Sequence, residues 1–328
     1  MTLVWRRRSS ERAAPIKERC TVRFDRARVR GGGIAIFGLL VTLTAAACSS
    51  TARSAVPVAS AGATRIPLLI DAQDPVGNTR FLFAMTDASG APIGKPELAV
   101  NVAFYDLAKS ATSPTGKYDA TFIWAIQGVK GVYAVNATFA EAGDWNAEFT
   151  STAAGVTEKT PVTFQVSPTS STPVVGAKAP DTITPTLANV GGNIKAISTD
   201  TTPDPSFYKV SVHDALAQHK PFVLVFATPA FCTSRQCGPT LDAIKAVAKT
   251  EPAMTFINVE PYKTQFANGS LQPVLDAQGG LQATDITNAW GLLSEPWIFV
   301  VDKSGIVRGS YALIVSADEL KAAIAAAS

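Results

Sequence analysis

Four cysteines stand in a chain of 328 residues, and two of them, Cys232 and Cys237, are five positions apart. A thiol pair this close can cycle between dithiol and disulfide by exchange through a mixed disulfide. It can equally close an inert loop staple, as isolated cysteine pairs in exported proteins often do. Spacing restricts the geometry. In a regular helix, residues five apart sit about 8–9 Å apart at Cα, from the helical rise and radius. A disulfide needs Cα atoms within about 7 Å. A Cys232–Cys237 bridge therefore requires a looped segment between the two. Gly238-Pro239 follows directly and suits the first turn of a helix, where proline is tolerated. The pair then straddles the loop leading into a helix. The partial positive charge at that helix start favours thiolate at Cys232. Arg235, inside the loop, adds to this effect if it points inward. Glu295 is a carboxylate that would act in the opposite sense if close, since it raises a thiol pKa.

Elements must position these groups. Before the pair, 222–227 is a continuous apolar run, FVLVFA, as in a strand buried on both faces. After it, Leu241, Ile244, Val247 and Ala248 recur at helical spacing. Residues 256–259 predict a second buried strand, 297–301 a third and 307–311 a fourth, the last two joined by Asp302-Lys303-Ser304-Gly305. A helix is expected over 212–219, ending at Lys220-Pro221, and another near 317–326. The fold class predicted for this half is α/β.

Residues 64–168 read differently. Leu98, Val100, Val102 and Phe104 alternate, as do Tyr118, Ala120, Phe122, Trp124 and Ile126. Three further alternating runs follow, at 133–139, 145–149 and 162–166, and 68–70 and 81–85 complete the strands. Turn signals such as Ala88-Ser89-Gly90 and Ala142-Gly143-Asp144 separate them. Period-2 alternation with regular turns predicts an all-β, antiparallel sandwich. Core packing is expected for Trp124, Tyr133 and Trp145. The sandwich has no Cys, no His and one Met, Met85, so it lacks the ligands of a copper site. It is expected to be a spacer or a partner-binding module.

The first 33 residues carry ten Lys and Arg against three Asp and Glu. Residues 34–47 are uncharged, too short to span a bilayer and suited to a signal-peptide core. They end in Ala45-Ala46-Ala47-Cys48-Ser49. Small residues directly before a cysteine resemble a bacterial lipoprotein signal, which implies cleavage before Cys48 and a diacylglyceryl group on its sulfur. The expected organisation is a signal at 1–47, a flexible tether at 48–63 and the sandwich at 64–168. A Pro/Ser/Thr-rich linker and domain lead-in follow at 169–205, then the α/β domain at 206–328. The expected location is extracytoplasmic, lipid-anchored to the cell membrane, where disulfides persist. From Cys48 onward the chain holds 19 basic and 23 acidic residues, which is no footprint for nucleic acid. Two His and three Met exclude a His- or Met-rich metal store, and no metal ligand set or cofactor is expected.

Three stretches carry a family resemblance: VLVFATPAFC before a helix, Glu295-Pro296-Trp297 before a strand, and the hairpin FVVDKSGIVRG. Residues 206–325 resemble a thioredoxin-like (redoxin) domain, and Val175-Gly176 with Ala179-Pro180 resembles its lead-in. The resemblance implies a thiol–disulfide oxidoreductase with Cys232 as nucleophile and Cys237 as resolving thiol. It also implies a cis Pro296 facing the active sulfur, with Phe231, Trp297 and Glu295 near the substrate strand; core packing is the equal alternative for Phe231 and Trp297. The family's buried acid six positions before the nucleophile is Phe226 here, and Glu260 is the expected substitute as a modulator of thiol pKa. The implied partners are thiols or disulfides of exported proteins and a redox partner. The spacing departs from the family's C-x-x-C. It matches the peroxiredoxin Q type, but that type needs a hydroxyl three residues before its cysteine, where this chain has Pro229. A Sco-type copper chaperone needs a histidine after its pair; His213 and His219 both precede it. A non-enzymatic binding lipoprotein with a structural disulfide is the other alternative. Separately, Gly131-Val132-Tyr133, Phe139, Gly143 and Trp145 resemble the immunoglobulin-like modules of YtkA-like proteins.

Overall fold

The structure, a computed structural model, describes residues 63–71 and 73–328. The expected signal, the lipid site Cys48 and all but the last residue of the tether lie outside the described residues. No helix among the described residues is long and apolar enough to cross a membrane.

Nine strands come first: β1 (Ile66–Leu69), β2 (Asp74–Pro75), β3 (Gly77–Thr86), β4 (Ala99–Asp106), β5 (Gly116–Asp119), β6 (Thr121–Ile126), β7 (Lys130–Phe139), β8 (Gly143–Ala153) and β9 (Val156–Ser167). They form an immunoglobulin-like β-sandwich of two sheets, ordered β1-β3-β7-β6 and β2-β9-β8-β4-β5. Alternation dictates the packing, because every second side chain points inward. Phe81 and Phe83 of β3 meet Val102 and Phe104 of β4, Tyr133 and Val135 of β7, and Trp145 and Phe149 of β8 in one core. The polar tips of its large rings are satisfied: Trp145 Nε1 donates to Glu141 O, and Tyr133 Oη donates to the carbonyls of Lys95 and Leu98.

Two expectations fail here for a physical reason. The run 118–126 is not one strand: the chain changes sheets at Ala120, so β5 and β6 belong to opposite layers. On β6, Phe122 packs against the sandwich core, while Ile123 and Ala125 are buried on the outer face of the sheet. Trp124 is half-exposed, edge to face with Phe122 at 4.9 Å, and is no core residue.

Residues 205–328 build the second half. Here α1 (Val212–Ala217), β10 (Phe222–Phe226), α2 (Cys237–Ala248), β11 (Thr255–Val259), the hairpin β12 (Thr264–Ala267) and β13 (Ser270–Pro273), α3 (Asp285–Ala289), β14 (Trp297–Val301), β15 (Val307–Ala312) and α4 (Ala317–Ala327) follow in order. The sheet runs β11-β10-β14-β15, with β10 and β11 parallel and the other pairings antiparallel. Both faces of β10 are covered, which is why its sequence is continuously apolar. Val223 and Val225 pack under Leu241 and Ile244 of α2 and Leu320 and Ile324 of α4. Phe222, Leu224 and Phe226 face Val212 and Ala215 of α1, together with Trp290.

Residues 169–205, expected to be a linker and domain lead-in, are tied down. Gly176 and Ala177 exchange backbone hydrogen bonds with Val307, and Ile197 enters the core beneath α2. The two halves also share a small apolar cluster. Leu82, Ile123, Val132 and Ala134 from the outer face of the sandwich enclose Ile314 from the β15–α4 turn. Beside it, Arg80 donates to both carboxylate oxygens of Glu319 at 2.7 and 3.2 Å, the geometry of a bidentate pair.

Gly291 ends α3 in the left-handed region, φ 63°, and its N–H bonds Asn288 O, a common glycine helix stop. A Cβ at Gly291 would lie 1.9 Å from the carbonyl oxygen of Ser171, which is backbone with little freedom to move. Gly291→Ala is therefore predicted to destabilise the protein by roughly 1–3 kcal/mol, measured as a lower denaturation midpoint. Unchanged stability would mean that the 171–172 segment is not seated there.

Candidate functional site

The loop after β10 turns at Thr228, where Phe231 N–H bonds Thr228 O, and delivers Cys232 to the start of α2. Arg235 takes φ 59° and reverses the chain, so that Cys237 becomes the first residue of the helix. The loop between them brings the sulfurs together: both Sγ atoms and a carboxylate oxygen of Glu295 lie within 4.8 Å of one another. Both cysteines are free thiols.

Every helix leaves its first N–H groups without intrahelical partners. In this half, α1, α3 and α4 satisfy one with the hydroxyls of Ser211, Thr284 and Ser316. Gln236, at the start of α2, provides no side-chain cap. Cys232 Sγ takes that place, accepting Cys237 N–H at 3.2 Å. It also lies 3.2 Å from Ser234 Oγ. These contacts separate the two thiols. Hydrogen bonding from the Cys237 thiol, with help from Ser234 and the amides of Cys237 and Gln236, outweighs partial burial and lowers the Cys232 pKa to about 6. The same thiol–thiol bond, reinforced by burial, pushes the Cys237 pKa far up. At neutral pH the pair is one half-exposed thiolate and one buried thiol.

Glu295 is 6% exposed and immediately precedes the cis Pro296 at the entry to β14. Its Oε2 accepts from Tyr262 Oη, and Thr233 N–H and Oγ1 face its Oε1 at 3.4 and 3.5 Å. Ser234 Oγ donates to Glu295 O at 3.4 Å, joining the cysteine loop to this segment. Glu295 is thus a buried neighbour of the thiols and not an exposed substrate contact. Its charge acts on Cys237, raising that pKa.

The remaining site expectations divide. Pro296 is buried at the base of the loop, and its carbonyl accepts from Leu313 N–H. Phe231 is half-exposed beside Cys232. Trp297 is largely buried, stacked on Phe299 and donating Nε1 to Ser310 Oγ, as the core-packing alternative has it. Arg235 is exposed, on a left-handed backbone at φ 59°. Glu260 is buried, and its Oε1 is taken by Thr199 N–H and Oγ1 at 2.6 and 2.8 Å. His213 and His219 are exposed and away from the pair, His213 being paired with Asp181. Sequence reasoning missed Ser234, Tyr262 and Gln236. Gln236 Nε2 donates to Ala125 O of β6 at 2.9 Å, a buried bond from the sandwich to the residue beside Cys237. A cleft of about 740 Å³, bordered by Arg80, Trp297, Arg308 and Tyr311, does not contain the thiols.

No protein-family model and no curated protein matches the chain. Among solved structures, the soluble domain of PmoD from Methylocystis sp. ATCC 49242 aligns at 16% identity and TM-score 0.21, covering 32% of this chain and 93% of that one. The fibronectin type-III domain of human fibronectin type III domain containing protein 3 aligns at 16% identity and TM-score 0.21, covering 37% of this chain and 94% of that one.

Two titrations check this site. In reduced protein carrying Cys20→Ser and Cys48→Ser, Cys232 thiolate absorbance should appear with a midpoint near pH 6. Cys237→Ala, which removes the hydrogen bond from the Cys237 thiol, should move that midpoint upward; an unmoved midpoint would assign the effect elsewhere. Burial raises the Glu260 pKa from its ordinary 4.5 to about 7. The unfolded chain releases that proton first, so this group's contribution to stability falls as pH rises from 4.5 to 7. Glu260→Gln should therefore gain stability over the parent across that window, to a plateau on the order of 3 kcal/mol. A pH-independent difference would contradict the shift.

Proposed function

We propose that residues 206–328 form a thioredoxin-like domain and that this chain is a thiol–disulfide oxidoreductase acting through Cys232 and Cys237. The fold reading is supported by the element order: strand, cysteine loop, helix, strand, proline-led strand, hairpin and helix, with helices on both faces of a mixed sheet. The observation that carries the function is the asymmetry of the pair. One sulfur is half-exposed, caps a helix and is ionised near neutrality, while its partner is buried and protonated. An inert staple has no need of that difference. A nucleophile and a resolving thiol do.

The proposed steps are these. Cys232 thiolate attacks one sulfur of a substrate disulfide. The substrate S–S bond breaks, a mixed disulfide forms, and the other substrate sulfur leaves as thiolate. Cys237 then loses its proton to the nearby Glu295 carboxylate and attacks Cys232 Sγ, releasing the second substrate thiolate. The substrate gains two electrons, and the pair becomes a disulfide. The reverse sequence oxidises a dithiol. Phe231, half-exposed beside Cys232, is the apolar contact offered to the substrate chain.

The proposal extends to location and partners. The lipoprotein-like segment ending at Cys48 supports export and lipid anchoring, and the substrates are then thiols or disulfides of other exported proteins. The sandwich, which resembles YtkA-like modules, serves as a brace through the Gln236–Ala125 bond.

The test is exchange with a small disulfide substrate, in the Cys20→Ser, Cys48→Ser background. The parent should turn over, and Cys232→Ser should be inactive. Cys237→Ser should accumulate a covalent adduct at Cys232, visible by mass. Turnover in Cys232→Ser, or no adduct in Cys237→Ser, would reject the assignment of roles.

A further inference from the structure

The cluster formed by Cys232, Cys237 and Glu295 combines three groups that can each carry negative charge. Their ligand atoms all lie within 4.8 Å of one another. Cys237 and Glu295 are buried, and Cys232 is half-buried. Among the described residues, no Lys, Arg or His side chain forms an ion pair with Glu295. Arg235, the basic residue within the loop, is exposed. Three donors that can each become anionic, gathered in a poorly solvated corner with no protein ion-pair partner, are a place where a bound cation would offset the cost of ionising them together.

We propose that the reduced pair, with Glu295, is a binding site for a thiophilic divalent cation of the Zn²⁺ type. Two sulfurs and one carboxylate oxygen are the donor set of a three-ligand zinc site with an open fourth position. Ideal bond lengths give S···S and S···O edges of about 3.6–3.8 Å in such a tetrahedron, so the cluster closes by about 1 Å or less on binding. Glu295 has freedom for this, because its contacts to Thr233 are long, at 3.4 and 3.5 Å. Tyr262 Oη donates to Glu295 Oε2 and orients the carboxylate, as a hydrogen bond behind a metal ligand does. Hard cations such as Mg²⁺ and Ca²⁺ prefer all-oxygen sites, and a monovalent soft ion would be content with the two sulfurs alone. The carboxylate therefore selects the divalent, borderline ion.

Binding releases the Cys237 proton to solvent and leaves two metal-bound thiolates, with no change in oxidation state. A disulfide supplies no thiolate, so the site exists only in the dithiol form. This inference rests on the pair being reducible, as the oxidoreductase reading requires. There the cation would cap Cys232 and hold the reduced protein inactive until it is removed.

The experiment uses the whole chain with Cys20→Ser and Cys48→Ser, reduced with a phosphine, and Zn²⁺ in competition with a chromophoric chelator. One Zn²⁺ per chain is expected for the dithiol and none for the disulfide, with Glu295→Gln weakening binding at least about tenfold. Co²⁺ in the unmutated cluster should give the visible bands of a tetrahedral ion and thiolate charge transfer, which keeps the test independent of how the Glu295 variant folds. Two titratable thiols without zinc uptake would overturn the metal site alone. So would binding indifferent to Glu295→Gln, or a cobalt spectrum lacking thiolate bands. Thiols that never appear under reductant would overturn both this site and the exchange reading.

Discussion

A cysteine sulfur caps helix α2. Where the neighbouring helices place a serine or threonine hydroxyl, this one has Cys232 Sγ accepting the first helical N–H. A hydroxyl cap is neutral; a sulfur in the same place is drawn toward its anion, because the helix start carries partial positive charge. The thiol that donates to it, Cys237, is consumed as a donor and sealed in the core under β10. One hydrogen-bond arrangement therefore makes one thiol acidic and the other reluctant. Lengthening or misplacing the loop 232–237 would dissolve both effects together.

The rest of the fold keeps that loop in place. β10 is clamped between two apolar layers, so the strand leading to Cys232 has no freedom to slide. From below, Ser234 is tied to Glu295, and Pro296 accepts from Leu313. From the side, Gln236 is held by the Ala125 carbonyl of the sandwich, and Thr240 Oγ1 by the Leu313 carbonyl. Leu313 and Ile314 in turn pack against Leu82 and Ile123 of the sandwich. The sandwich is thus more than a spacer in this structure: its outer face forms one wall around the base of α2. The Arg80–Glu319 pair fixes the same contact at its edge.

Much of this was legible in the residues. Alternation gave the sandwich strands, and the doubly apolar run at 222–227 gave the central buried strand. The C-x4-C spacing argued for a loop and against a regular helix. What escaped had specific causes. Alternation continues through Ala120 although the chain passes to the other sheet, so period alone could not reveal β5 and β6 as separate strands. The unbroken apolar stretches Phe81–Met85 and Val132–Ala134 were a signal that the first sheet is buried on both faces; a one-sided sandwich would alternate there. Glu295 and Trp297 were placed by their distance along the chain from Pro296. The pleat decides otherwise, directing Trp297 into the layer with Phe299 and leaving Glu295 against the sulfurs. Tyr262 and Gln236 carry no local motif, and only the tertiary contacts bring them to the site.

The central claim is that Cys232 and Cys237 are a working exchange centre whose reduced form is stabilised by the Cys232 thiolate. Its most direct test is the reduction potential of this pair in the whole chain, with Cys20→Ser and Cys48→Ser, equilibrated against glutathione buffers. The account predicts a value among known oxidoreductases, about −120 to −270 mV, because a stabilised thiolate makes the disulfide easier to reduce. A value well below about −300 mV would make the bridge structural and contradict the account.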